Sequence, residues 1–169
     1  MQESVEKLTL HGTLVSINNF GVLLTGESGS GKSECALGLI ANGHALIADD
    51  VVEILVDMEC LSGSAPTKLR GLLSVRNIGI LDVVSLFGKH AVSYQAGIDA
   101  VVEFTPKALN DDAFQLGAFA TTKIGGIELP YFRICSPLTR DLVLLVEAIV
   151  KILRNPTSRR EINSIESFD

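Results

Sequence analysis

Gly26, Glu27, Ser28, Gly29, Ser30, Gly31, Lys32 and Ser33 are consecutive and match the Walker A template G-x-x-x-x-G-K-[ST] without a mismatch. An apolar run over residues 21–25 precedes them, and a helix-like run over residues 34–42, closed by Gly43, follows. Strand, glycine loop and helix in that order turn backbone N–H groups and the positive end of a helix toward a polyphosphate. In such a loop Lys32 supplies a mobile cation for β- and γ-phosphates, and the Ser33 hydroxyl can ligate Mg²⁺. The motif therefore predicts an α/β fold, a core of mixed β-sheet flanked by helices, with residues 26–33 holding a nucleotide.

The other segments fit one such domain. Hydrophobic residues make up 47% of 169, aromatics only 5%, and Trp is absent, so the core must be aliphatic and compact. Residues 8–17 read as one strand, Asn18-Asn19 as a turn, and residues 21–25 as the second arm of a hairpin. Pairing the loop's strand with the one just before it is unusual, because most proteins with this loop proceed by right-handed crossovers. Residues 44–48 read as a short buried strand ending at Asp49-Asp50, and residues 51–56 continue extended. The small, polar, Pro- and Gly-containing residues 61–67 suggest a mobile loop. Strands are predicted over 91–94 and 98–104, a turn over 110–112, and a hairpin of 118–124 with 127–134 about Gly125-Gly126. Apolar spacing predicts a C-terminal helix over 140–154, stopped by Asn155-Pro156. We therefore expect a catalytic domain over residues 1–156 and a polar, fraying tail over 157–169.

Charge and cysteine usage narrow the function. The net charge is −6, which argues against a nucleic-acid partner. Cys35, Cys60 and Cys135 form no C-x-x-C pair, so neither a disulfide framework nor a zinc site is expected, and a reducing cytosol fits. Residues 1–7 are charged and lack the apolar segment of a signal peptide. The most apolar stretch, residues 142–153, is interrupted by Glu147 and Lys151 and is too short for a bilayer. The expectation is a cytoplasmic protein without a membrane partner.

Several residues could carry chemistry. Asp49-Asp50 falls at the C-terminal end of a strand, where ligand chemistry gathers in α/β sheets. One carboxylate could meet Mg²⁺ or the attacking nucleophile; the plainer reading is a solvated turn. Adjacent residues in extended chain point to opposite sides, so only one of the two is expected to face the nucleotide. By itself, a lone strand histidine such as His11 is more readily a packed or surface residue. Arg70, Arg76, Arg133 and Arg140 are candidate phosphate or partner contacts. The D-x-x-G and N-K-x-D signatures of GTPases and the Arg-rich lid of small nucleotide kinases are all missing.

The ordered blocks Leu10-His11-Gly12, residues 26–34, Gly43-His44-Ala45-Leu46-Ile47-Ala48-Asp49-Asp50, Ala65-Pro66, residues 69–83 and Leu86-Phe87-Gly88 narrow the field further. Together they resemble the catalytic domain of the HPr(Ser) kinase/phosphorylase family over about residues 8–154. The family's regulatory N-terminal domain is expected to be absent. The resemblance implies a core related to phosphoenolpyruvate carboxykinase and assembly as a homohexamer. It also implies phosphorylation of a serine of HPr, the phosphocarrier of the sugar phosphotransferase system, with ATP and Mg²⁺. The reverse step would use inorganic phosphate and release pyrophosphate.

By position, His11 matches the family's active-site histidine, Lys32 its loop lysine and Ser33 a Mg²⁺ ligand. Asp50 matches the carboxylate that is base in the forward direction and acid in reverse. Three departures stand out. Ser74 replaces a glutamate that helps hold the metal, Gln115 replaces an arginine, and Leu138-Thr139-Arg140-Asp141 keeps only the arginine of a segment tied to dephosphorylation. They count against phosphorolysis. A nucleotide- or phosphate-sensing module without catalysis is the competing reading, and a small-molecule kinase a weaker third.

Overall fold

The computed structural model describes residues 6–106, 120–136, 141–155 and 157. The predicted turn at 110–112, Gln115, residues 137–140 and all of the tail but Thr157 lie outside them. Twelve strands and three helices are described: β1 (Glu6–His11), β2 (Thr13–Ile17), β3 (Phe20–Gly26), α1 (Lys32–Ala41), β4 (Ala45–Ala48), β5 (Val51–Asp57) and β6 (Cys60–Ser64) come first. Then follow β7 (Leu72–Val75), β8 (Gly79–Asp82), α2 (Val83–Phe87), β9 (Gln95–Gly97), β10 (Ala100–Thr105), β11 (Ala120–Ile124), β12 (Ile127–Cys135) and α3 (Leu142–Arg154).

The central sheet has the order β11-β12-β10-β3-β2-β4 and is mixed: β3, β10 and β12 run parallel, whereas β2 pairs antiparallel with both β3 and β4. Its strands alternate sides with the period of 2 that a pleated strand imposes. On one side Val15, Val22, Leu24, Val102 and Phe104 meet Cys35, Ala36, Leu39 and Ile40 of α1 and Val146, Ile149, Val150 and Leu153 of α3. On the other, Leu14, Leu23 and Val101 meet Val52, Ile54 and Leu61 of a second, antiparallel sheet, β1-β5-β6-β9. The layers are therefore helices, mixed sheet and small sheet, and the core is almost wholly aliphatic.

The predicted hairpin is present. Asn18 and Asn19 have φ of 50° and 64°, the two positive values that a two-residue type I′ turn requires. The expected single strand over residues 8–17 is instead two strands in different sheets: β1 pairs with β5, and β2 with β3 and β4. The chain switches at Gly12, where a Cβ would stand 2.7 Å from the Leu24 carbonyl oxygen. No side chain fits that crossing.

Residues 61–67 are not a loop throughout. β6 lies inside the small sheet, between β5 and β9. Its small residues answer a packing demand: a Cβ at Gly63 would crowd the Leu14 side chain of the facing sheet, so a glycine there lets the two sheets close without displacing it. The predicted strand over 91–94 is also corrected. A 3-10 turn at Lys89–Ala91 takes its first residue, and Val92 makes only an isolated bridge to Leu46.

α3 starts on Asp141, whose carboxylate accepts from the Leu144 N–H at 2.9 Å as an N-cap. It lies against α1, and the two are clamped by Glu147, which accepts from Asn42 Nδ2 at 3.0 Å and lies 2.9 Å from His44 Nε2. The Asn42 hydrogen bond holds the Glu147 carboxyl below the ordinary value of 4.5, and His44 and Lys151 act in the same direction against burial. A carboxyl lowered on folding stabilises the protein above its unfolded-state value, and that stability is lost as pH falls through the folded one. Glu147→Gln should therefore cost about 1 kcal/mol at neutral pH, a cost that shrinks as pH falls from neutral through the lowered folded-state value of Glu147. Denaturant titrations of parent and variant across this range check it; a gap independent of pH would refute it.

Candidate active site

The glycine loop leaves β3 at Gly26, whose φ is 130°; a Cβ there would lie 2.3 Å from the Phe104 carbonyl oxygen of the neighbouring strand. A tight turn follows, in which the Ser30 N–H donates to the Glu27 carbonyl at 3.1 Å. Gly31 then begins α1, accepting from the Cys35 N–H at 2.9 Å. Ser28, Gly29, Gly31, Lys32, Ser33 and Glu34 line a cleft of about 340 Å³. Gly26 and Glu27 do not line it. They act from beneath, their carbonyls accepting from Lys32 Nζ at 2.8 and 2.9 Å. The Ser30 hydroxyl is buried, with no hydrogen-bond partner among the described residues.

Lys32 is only 7% exposed. Burial lowers its pKa, and the nearby Asp49, Asp50 and Glu34 oppose that shift. Its ammonium thus rests folded back on the loop's own carbonyls, with Asp49, Asp50 and Glu34 nearby.

The rest of the cleft comes from four other elements. Asp49, at the end of β4, is 6% exposed, and both of its carboxylate oxygens are hydrogen-bonded. Its Oδ1 accepts from Thr13 Oγ1 at 2.8 Å and Ser33 Oγ at 3.1 Å, and its Oδ2 from the Ser74 N–H at 2.9 Å. Asp50 is the opposite: its side chain is 67% exposed and its Oδ1 lies 3.1 Å from His11 Nδ1. The expectation that only one of the two carboxylates would face the site is corrected, since both line the cleft. Asp50 has φ 69°, so the chain is not extended there and the alternation rule does not apply.

His11 and Asp50 meet because β1 pairs with β5 in a register that sets His11 opposite Val51. The Gly12 N–H also donates to the Asp50 carbonyl at 3.1 Å. Among the described arginines, Arg76 alone lines the cleft, and its guanidinium lies over Gly29, within 3.2 Å of where a Cβ would stand. Arg70 instead sits over the Tyr94 ring at 5.3 Å, and Arg133 pairs with Glu103 at 2.9 Å. Sequence reasoning missed Thr13, which reads as one more strand residue. A hydroxyl with 0% exposure on an aliphatic face was the only available signal, and burial is invisible in sequence.

Ser33 and Asp49 present oxygen donors of the hard kind that Mg²⁺ takes. No group of three His, Cys, Asp or Glu able to hold a metal occurs among the described residues. Two oxygens suffice where phosphates and waters complete the shell, so the pair fits Mg²⁺. No described helix is long and apolar enough to cross a membrane.

Sheet, loop and cleft define a mixed α/β domain built around a strand, a glycine loop and a helix, with the C-terminal helix packed on the loop's helix. Residues 2–169 match the family model of the HPr Serine kinase C-terminal domain, and the chain belongs to that family. It is 44% identical over 144 residues to an HPr kinase/phosphorylase of Lactobacillus acidophilus, covering 82% of this chain and 44% of that protein. Against the enzyme of that name from Limosilactobacillus reuteri it is 36% identical over 173 residues, covering 100% of this chain and 53% of the other. The chain thus spans about half the length of the curated relatives it matches. The solved HPr(Ser) kinase/phosphatase of Coxiella burnetii superposes with a TM-score of 0.77 at 35% identity, covering 87% of this chain and 96% of that one.

Proposed function

We propose that residues 1–156 form an ATP- and Mg²⁺-dependent protein-serine kinase whose acceptor is HPr or a similar small phosphocarrier. One observation carries the reading: a carboxylate oriented by a histidine, Asp50 with His11, opens onto the cleft that the glycine loop and Lys32 also line. The N–H groups of the loop residues that line the cleft, Ser28, Gly29, Gly31, Lys32 and Ser33, hold the phosphates. Lys32 leaves the Gly26 and Glu27 carbonyls for the β- and γ-phosphates. Ser33 and Asp49 would hold Mg²⁺, which when bound neutralises charge on the phosphate oxygens.

Asp50 accepts the proton of the acceptor serine as its Oγ bonds to the γ-phosphorus and the bond to the β-bridging oxygen breaks, releasing ADP. His11 keeps the Asp50 carboxylate turned toward that proton. Such transfer depends mainly on positioning and charge neutralisation. A sensing module without catalysis is the weaker reading, because it leaves the His11–Asp50 pair without a task. Ser74 lines the cleft at the position where the resemblance implies a carboxylate, and with Gln115 and Leu138-Thr139 it counts against phosphorolysis by inorganic phosphate. A cytoplasmic homohexamer completes the proposal.

Incubation with labelled ATP, Mg²⁺ and purified HPr is expected to leave label on a serine of HPr. Phosphate added afterwards is expected to release little pyrophosphate. Nucleotide binding without transfer to HPr would favour the sensing reading instead.

A further inference from the structure

We infer that Thr13 is a positioning residue for the divalent cation: its buried hydroxyl fixes the orientation of the Asp49 carboxylate and so sets the cleft's affinity for Mg²⁺ or Mn²⁺. The inference rests on Ser33 and Asp49 being the protein ligands of that cation.

Thr13 opens β2 on the same face as Val15 and Ile17, which pack in the helix-side core. It has 0% exposure. A hydroxyl in such a place is costly unless bonded, and valine would fill the same volume without that cost. Its bond goes to Asp49 Oδ1 at 2.8 Å, the shorter of the two that this oxygen accepts. Ser33, the second donor, is itself a ligand in the proposed site. The third donor to the carboxylate, Ser74, acts through its main-chain N–H. Thr13 is thus the one side chain among these donors with orientation as its whole task.

Threonine suits that task, because a β-branched side chain is stiff at χ1 and holds its hydroxyl in a set direction. Asp50 has a different partner, His11, and cannot take over the carboxylate's role without releasing it. Hydrogen-bond partners of metal ligands typically account for 10–100-fold in metal affinity.

The test is Mn²⁺ binding in the presence of ADP, read by the electron paramagnetic resonance of free Mn²⁺. Thr13→Val should raise the Mn²⁺ dissociation constant on the order of tenfold, and Thr13→Ser should restore it to within about twofold of the parent. ADP affinity in EDTA should be the same in all three. If Thr13→Val does not fold, Thr13→Ala removes the same hydroxyl and is read in the same way. Parent-like Mn²⁺ affinity without the hydroxyl overturns the inference, as does an equal loss of metal-free ADP binding, which would mark a purely structural role. Asp49→Asn separates the two levels: if it too binds Mn²⁺ like the parent, the cation-site reading falls, whereas its loss beside an unaffected Thr13→Val removes Thr13 alone.

Discussion

Asp50→Asn is expected to slow phosphoryl transfer to a serine acceptor by about 10²–10⁴-fold, the usual contribution of a positioned base. The substitution isolates the chemistry. Asp50 is exposed and adopts φ 69°, a backbone conformation that asparagine tolerates as well as aspartate does. Stability should therefore stay close to the parent's. The amide keeps a hydrogen-bonding group beside His11 but cannot take up the serine proton. Asp50 also lies outside the set of contacts that hold Asp49, so nucleotide and metal binding should persist. Single-turnover transfer from labelled ATP, set beside an ADP binding isotherm, separates the two effects. A variant as fast as the parent would remove Asp50 as the base.

The second large effect belongs to Lys32→Met, which should weaken ATP binding by about 2–5 kcal/mol, the cost of truncating one partner of a buried charge pair. Methionine retains the unbranched apolar stem, so the packing under the loop is largely kept. Fold stability has two opposed contributions. Two hydrogen bonds to the Gly26 and Glu27 carbonyls disappear, and so does an ammonium whose burial lowers its pKa. Their partial cancellation predicts a melting temperature near the parent's alongside nearly abolished ATP affinity. Calorimetric titration of ATP together with a thermal melt checks both halves. Retained ATP affinity would mean that Lys32 stays on the loop carbonyls throughout.

The sequence read best where the determinants were neighbours in the chain. The Asn18-Asn19 hairpin, the helix begun after Gly31 and the Gly125-Gly126 turn each follow from the φ preferences of one or two residues. The C-terminal helix was legible for a related reason, since Val146, Ile149, Val150 and Leu153 recur at helical spacing. Misreadings occurred where a residue's neighbours came from elsewhere. Residues 61–64 carry turn-like chemistry yet form an inner strand, because position 63 packs against Leu14 from another sheet, which crowds any larger side chain there. Residues 8–17 alternate like one strand, but the alternation carries no record that Gly12 hands the chain from one sheet to the other.

What the sequence determined by itself was the loop, since eight adjacent residues specify its turns, its lysine and its hydroxyl through local backbone geometry. Tertiary structure decided the facing wall. His11 reaches Asp50 only through the β1–β5 register, and Asp49 gathers donors from β2, α1 and β7, as far as 36 residues away in the chain. The physical reason is that dihedral preference is carried by each residue and its immediate neighbours, whereas burial and side-chain partners are set by whichever strands the whole chain packs alongside.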